Sequence, residues 1–260
     1  MIFPTGRALS LLALAAILLL ADVPAAGQPA PAPYKAPRTP DGKPDLQGIW
    51  EVRNAAASGN LEAHSASAGI RAGESVIVDP ADGKIPYLPA AAAKQKENFA
   101  KRATADPVSK CYLPGVPRIT YMPYAFQIFE TPEFIAMTYE YVHASRTVYM
   151  NSSKHLDGID FWMGDSRGRW EGETLVIDVA DENPQTWLDM SGNFHSDALH
   201  VVERYTRTSP NTLQYEATIE DPKVFSRPWK ISLPLFRHDE KGAQLYEYEC
   251  NVYRDEQSGK

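Results

Sequence analysis

The stretch that decides the fold reads ALHVVERYTRT over residues 198–208, then Ser209-Pro210-Asn211, then TLQYEATIE over residues 212–220. Two runs rich in β-branched and aromatic residues flank a three-residue turn signal, which predicts an antiparallel hairpin. Residues 169–171 and 174–179 flank Gly172-Glu173 and predict a second hairpin. Residues 229–236 and 243–253 flank a turn over 237–242 and predict a third. Upstream, residues 125–130, 133–141 and 146–150 read as further strands, and 46–52 and 75–78 as shorter ones. One helix is expected over 89–102, with proline in its first turn and lysines and arginine at its end, which suits the helix dipole. Its apolar face is weak, so it belongs on the surface. Many short strands with few helices between them predict a mainly β chain. A meander of about eight strands closes to remove its exposed edges. The expectation is therefore an antiparallel up-and-down β-barrel with one short surface helix, a two-sheet β-sandwich being the alternative.

Around this core, the chain of 260 residues divides by composition. Arg7, an apolar run over 8–21 and the small residues Ala25 and Gly27 predict a cleavable signal peptide over 1–27. That run is shorter than the roughly 18–20 residues needed to span a bilayer; an uncleaved anchor is the alternative. Residues 28–44 are a Pro/Ala-rich linker that ends in a turn signal over 40–44. Residues 45–260 form a single barrel domain. No second apolar stretch of spanning length follows, so no membrane insertion is expected after cleavage, and the expected location is periplasmic or extracellular. The net charge of −7 carries no basic stripe, which excludes nucleic acid as the expected partner. The two cysteines, Cys111 and Cys250, read as one disulfide in an oxidising compartment.

Three polar stretches are candidates for chemistry. In the run 193–203, His195 and Asp197 share a face if the chain is extended. A histidine beside a carboxylate serves as a general base whose tautomer the carboxylate fixes; the alternative is a polar turn entering a strand. The same run offers a metal set of His143, His195, Asp197 and His200. Its spacing is not a metal signature, and no metal or cofactor is expected. In the run 162–172, the reading is a turn-rich rim where Asp165, Arg167 and Arg169 meet a ligand's carboxylate or carbonyl; the alternative is a loop braced by Asp–Arg pairs. On the strand over 133–141 and just beyond it, Tyr139, Tyr141 and His143 share a face suited to a partly apolar cavity. Arg146 is a further anchor there. His64, His155 and His238 are expected to be exposed and uninvolved. There is no Gly-x-Ser-x-Gly elbow, phosphate-binding glycine loop or dinucleotide fingerprint, which excludes those chemistries.

The triplet Gly48-Ile49-Trp50 is similar to the G-x-W on the first strand of lipocalin-like (calycin) barrels. That resemblance implies a cup for apolar ligands, closed at one end by Trp50 with an arginine stacked on it, a part assigned to Arg254. The segments 39–50 (TPDGKPDLQGIW) and 110–118 (KCYLPGVPR), with the stretches around GDSRGRWEG and NFHSDALHVVERYTR, resemble a group of uncharacterised secreted bacterial proteins. The similarity covers most of the mature chain and implies export and a shared fold, not a reaction. Two functions are expected from these readings. In the first, the barrel binds a small, largely apolar molecule, with Arg146 or Arg167 holding its polar end. In the alternative, the cup is an acid–base enzyme (isomerase, hydro-lyase or hydrolase), with His195 as acid–base residue, Asp197 as its orienter and Arg167 or Arg169 stabilising an oxyanion.

Overall fold

The computed structural model describes residues 34–251, apart from 54, 68, 69 and 157. The expected signal peptide, the first part of the linker and Arg254 lie outside the described residues. Ten strands form the sheet: β1 (Gly48–Glu51), β2 (Ile77–Asp79), β3 (Phe126–Glu130), β4 (Phe134–Tyr139), β5 (Ser145–Tyr149), β6 (Asp165–Glu171), β7 (Thr174–Ala180), β8 (His200–Ser209), β9 (Thr212–Glu220) and β10 (Trp229–His238). A four-residue helix α1 (Ala56–Gly59) and a longer helix α2 (Pro89–Ala105) complete the regular elements, with two short 3-10 turns. The strand order is β1-β3-β4-β5-β6-β7-β8-β9-β10-β2, and β1 also pairs with β10. That extra pairing closes nine strands into a barrel, with β2 added alongside β10, and rules out the open sandwich.

The alternation that predicted the strands also fixes the two faces of the wall. Along β8, Val201, Glu203, Tyr205 and Arg207 are buried, whereas Val202, Arg204 and Thr206 are half-exposed. In β9 the buried set is Leu213, Tyr215, Ala217 and Ile219, paired in register with that of β8. Trp50, Trp229, Tyr205, Tyr215 and Phe126 are among the largest fully buried side chains, so the inside of the barrel is packed core. Outward positions such as Arg204, Glu216 and Lys230 are charged, the reverse of a barrel that faces lipid. Among the described residues, no helix is long and apolar enough to cross a membrane.

Several expectations change. The barrel is not a pure meander, because β5 and β6 pair in parallel through Val148↔Ser166 and Tyr149↔Arg167. No strand forms over 243–251; there the chain makes one bridge, Tyr141↔Tyr248, and is tied down by the disulfide Cys111–Cys250. Within the GDSRG stretch, read as a turn-rich rim, residues 165–168 are the first half of β6. Its small residues are explained by packing inside the wall, since a Cβ on Gly168 would lie 2.4 Å from the Met150 sulfur. The end of the expected linker is folded: Arg38 bridges Pro44 across a turn, and Ala36 is buried.

Trp50 is fully buried and its indole N–H donates to the Leu46 carbonyl at 2.9 Å. The guanidinium groups of Arg207 and Arg237 each lie 5.8 Å from its ring, the arginine contact that the barrel resemblance implies. Arg237 pairs opposite Trp50 in the closing contact of β1 and β10. Gly48 makes room for it, because a Cβ there would lie 2.9 Å from Arg237 Nε, and its φ of +135° disfavours any side chain. Gly48→Ala is expected to destabilise the barrel by about 1–3 kcal/mol, measured as a lower urea midpoint with an unchanged slope; an unchanged midpoint would refute this role of the glycine.

Candidate functional site

The candidate residues fall into three separate environments. The first surrounds His195. The run 193–199 is loop and not strand, so the period-two rule that put His195 beside Asp197 does not apply. Asp197 is exposed and accepts from Lys223 Nζ at 2.6 Å. His195 is buried with Thr186 and Glu182 instead. Its Nδ1 lies 2.8 Å from the Ser196 carbonyl, which only accepts, so Nδ1 carries the proton. Nε2 is then the acceptor and takes the Thr186 hydroxyl proton at 2.6 Å. Thr186 Oγ1 is also 2.8 Å from Glu182 Oε1, and having spent its proton it can only accept there. Glu182 is therefore a protonated acid that donates to Thr186. Burial pushes the Glu182 carboxyl up to about 8 and the His195 imidazole down, which agrees with a neutral chain of three groups. Gly115 permits this contact, because a Cβ at that position would lie 2.0 Å from Glu182 Oε1. The network is structural bracing at one end of the barrel, sealed from solvent.

The second environment is the barrel interior. Arg146 Nη2 pairs with Glu203 Oε2 at 2.5 Å and Arg146 Nε donates to Ser166 Oγ at 2.8 Å. Tyr205 and Tyr215 donate to Glu203 Oε1 at 3.1 and 2.8 Å. Tyr139 is buried against this group, and burial raises its hydroxyl to about 12. Tyr141 points elsewhere and donates to the Tyr112 carbonyl at 3.1 Å. His143 is exposed and paired with Glu249. The expected Tyr-Tyr-His face is thus divided, because the strand ends at Tyr139 and Val142 and His143 take a left-handed turn.

The third environment is the outer wall of β5, β6 and β7, and it holds the candidate site. Asp165, Arg167 and Arg169 all face outward on β6. Arg169 is exposed and pairs with Glu171. Arg167 donates to Asp165 Oδ2 through Nε at 3.0 Å, its Nη2 lies 2.9 Å from the same oxygen as an ion pair, and its guanidinium lies 5.0 Å from the Tyr149 ring. The connection between β5 and β6 crosses this face. It delivers His155, half-buried, with Nδ1 3.1 Å from Asp165 Oδ2 and Nε2 2.9 Å from Asp178 Oδ1. His200 reaches the same Asp178 oxygen at 2.9 Å. The two imidazoles hold the Asp178 carboxyl below its ordinary value against the opposing effect of burial. Beside this cluster opens a cleft of about 350 Å³, with Leu156, Phe161, Trp162 and Met163 on its apolar side and Ser145 and Asp165 on its polar side.

His155 corrects the expectation that it is uninvolved. Its partners come from β6 and β7, and nothing in its own polar segment announces them. His64 is bonded to the carbonyls of Glu62 and Arg71, and His238 lies between Glu51 and Glu240, so neither is without partners. The expected metal set of His143, His195, Asp197 and His200 is not assembled. Among the described residues, the one group of three His, Cys, Asp or Glu side chains with donor atoms within 4.8 Å of one another is His155, Asp165 and Asp181. No protein-family model, no curated protein and no solved structure matches the chain.

The neutral Glu182 gives stability a defined pH dependence. A carboxyl that keeps its proton more tightly in the folded chain stabilises the fold fully at low pH. It loses that contribution as pH rises from the ordinary carboxylate range to the folded value. For Glu182 the window runs from 4.5 to about 8. Glu182→Gln reproduces the protonated acid, its amide donating to Thr186. It is expected to match wild type near pH 5 and to exceed it by a few kcal/mol near pH 9. Each tenfold difference in proton affinity between the folded and unfolded chain is worth roughly 1.4 kcal/mol. Urea unfolding at both pH values measures this, and parallel pH profiles for the two proteins would mean that Glu182 is ionised in the fold.

Proposed function

We propose that this is an exported β-barrel protein that binds a small, largely apolar molecule, and that the molecule sits in the outer cleft between β5 and the β5–β6 connection. The observation that carries this reading is the cleft itself. It pairs a wall of Leu156, Phe161, Trp162 and Met163 with a polar end at Ser145 and Asp165. A cavity of a few hundred Å³, mostly apolar with a few convergent polar groups, is the usual form of a small-molecule site. The barrel interior is a poorer candidate, since aromatic side chains and the Arg146–Glu203 cluster fill it. The arginines expected as anchors are already engaged: Arg146, inside the barrel, pairs with Glu203, and Arg167, on the outer wall, pairs with Asp165. The polar end of the cleft is formed by the hydroxyls of Ser145 and Thr147 and by Asp165, whose charge is already paired with Arg167, so it meets a ligand's polar end through hydrogen bonding. The acid–base alternative built on His195 loses its geometry, because His195 is sealed and Asp197 is turned to Lys223.

Export rests on the signal-like residues 1–27 and agrees with a disulfide between Cys111 and Cys250, a bond that persists in oxidising compartments.

The test is a titration of the purified protein with a neutral solvatochromic dye such as Nile red, followed by dye emission and by quenching of tryptophan. Saturable binding to one site is expected. Leu156 is 47% exposed, so Leu156→Arg leaves the core alone while placing a charge in the cleft. It is expected to weaken binding about tenfold or more, equivalent to about 1.4 kcal/mol, with the urea midpoint unchanged. Equal affinity in the two proteins would move the ligand out of this cleft.

A further inference from the structure

Beside the cleft, His155 is held between two carboxylates. Its Nδ1 lies 3.1 Å from Asp165 Oδ2 and its Nε2 lies 2.9 Å from Asp178 Oδ1. A neutral imidazole carries one N–H and can satisfy one of these oxygens; the other nitrogen then turns a lone pair toward a carboxylate. That arrangement calls for a cation at the second nitrogen. Two sources exist, a proton or a metal ion, and the surrounding side chains distinguish them.

Nδ1 is the nitrogen facing Asp165, and one donor atom each from His155, Asp165 and Asp181 lie within 4.8 Å of one another. Each arrives from a different element: the β5–β6 connection, the start of β6 and the residue after β7. Asp181 is placed by a backbone bond from Phe161 N–H to its carbonyl at 2.8 Å, which ties the connection to the end of β7. On the Nε2 side, Asp178 is positioned to accept the imidazole N–H, and a carboxylate there is the usual partner of a metal-ligating histidine. It orients the ring and leaves the Nδ1 lone pair directed at the three-donor set.

We propose that His155 Nδ1, Asp165 and Asp181 bind a divalent transition-metal ion, with Asp178 as the positioning partner of His155. One imidazole nitrogen and two carboxylate oxygens suit zinc or manganese more than the all-oxygen preference of calcium. Metal–ligand distances of about 2.0–2.2 Å draw the three donors together by modest side-chain movement. Arg167 opposes the ion electrostatically, but it binds Asp165 through one oxygen, Oδ2, and so does not occupy the whole carboxylate. Asp165 also forms the polar end of the cleft, so the ion would stand where a ligand's polar end arrives. The site does not depend on the cleft holding an apolar ligand, and its test is separate.

The experiment is calorimetric titration of the metal-stripped full chain with Zn²⁺ alone near pH 7.5, where ligands compete least with protons. One equivalent is expected to bind at micromolar concentration or below, with a rise in melting temperature. His155→Gln and Asp181→Asn are each expected to weaken binding about tenfold or more. His143→Gln, which removes an exposed histidine paired with Glu249, is expected to leave binding unchanged. Circular dichroism and urea midpoints establish that each variant is folded; should His155→Gln fail to fold, Asp181→Asn carries the comparison. No saturable uptake below about 1 mM Zn²⁺ overturns the proposal in favour of a proton on His155. Uptake that survives both substitutions overturns it as an adventitious ion only.

Discussion

Glu203 is fully buried in the middle of a closed wall, and the rest of the barrel is arranged so that its charge can stay there. Removing a carboxylate from water costs several kcal/mol unless an opposite charge and further donors replace the lost hydration. Arg146 supplies the charge, and the hydroxyls of Tyr205 and Tyr215 supply the donors. These partners come from β5, β8 and β9, so the pair links strands on different parts of the circumference. Both Glu203 oxygens are satisfied in this way, and among the described residues Arg146 Nη1 is left buried without a hydrogen-bond partner, so the ion pair depends on its charge as well as on its hydrogen bonds. The interior is thereby committed to structure. Aromatic rings and hydrogen-bonded hydroxyls occupy the volume that a ligand would need, and any site must lie elsewhere.

The same commitment explains why the polar motifs of the sequence divide as they do. On β6 the inward series Ser166, Gly168 and Trp170 serves packing, while the outward series Asp165, Arg167 and Arg169 is left for the surface. In the 187–195 segment the polar groups are used as bracing. Asp189 accepts from the backbone N–H groups of Leu61 and Ser191, and Ser191 donates to the Gly59 carbonyl, which binds helix α1 to this loop. Helix α2 is fastened to the same segment through Gln95 and Asn98. A dense polar stretch therefore signals a loop that must satisfy its own backbone as readily as it signals catalysis.

What the sequence made legible was local. The hairpins around Gly172-Glu173 and Ser209-Pro210-Asn211 follow from turn chemistry and alternation within a few residues, and the structure has them at those positions. The disulfide followed from there being two cysteines and pairs as expected. What stayed illegible was set by distant contacts. His155 sits among Lys154 and other polar neighbours, and its carboxylate partners are contributed by β6 and β7. The His195–Asp197 pairing failed because alternation was applied where the chain is not extended, and strand β8 begins only at His200. The run 243–253 had strand composition, yet its described part makes a single bridge at Tyr248 and is held by Cys250.

One topological irregularity accounts for the position of the candidate site. Antiparallel neighbours can be joined by a tight turn, but a parallel pair needs a connection long enough to return the chain to the same end of the sheet. β5 and β6 are the one parallel pair among these strands, and residues 150–164 make the return. That return crosses the outer face of the wall. It carries His155 to Asp165 and Asp178, and it lays Leu156, Phe161 and Trp162 beside β5 to form the cleft. Trp162 is steadied by stacking on Tyr112 at 5.0 Å, next to the disulfide residue Cys111. Had β5 and β6 been joined by a two-residue turn, this face would be a bare polar wall like that of β8 and β9. The break in the meander is therefore what gives a filled barrel a concave surface, and it brings the imidazole and carboxylate groups to its edge.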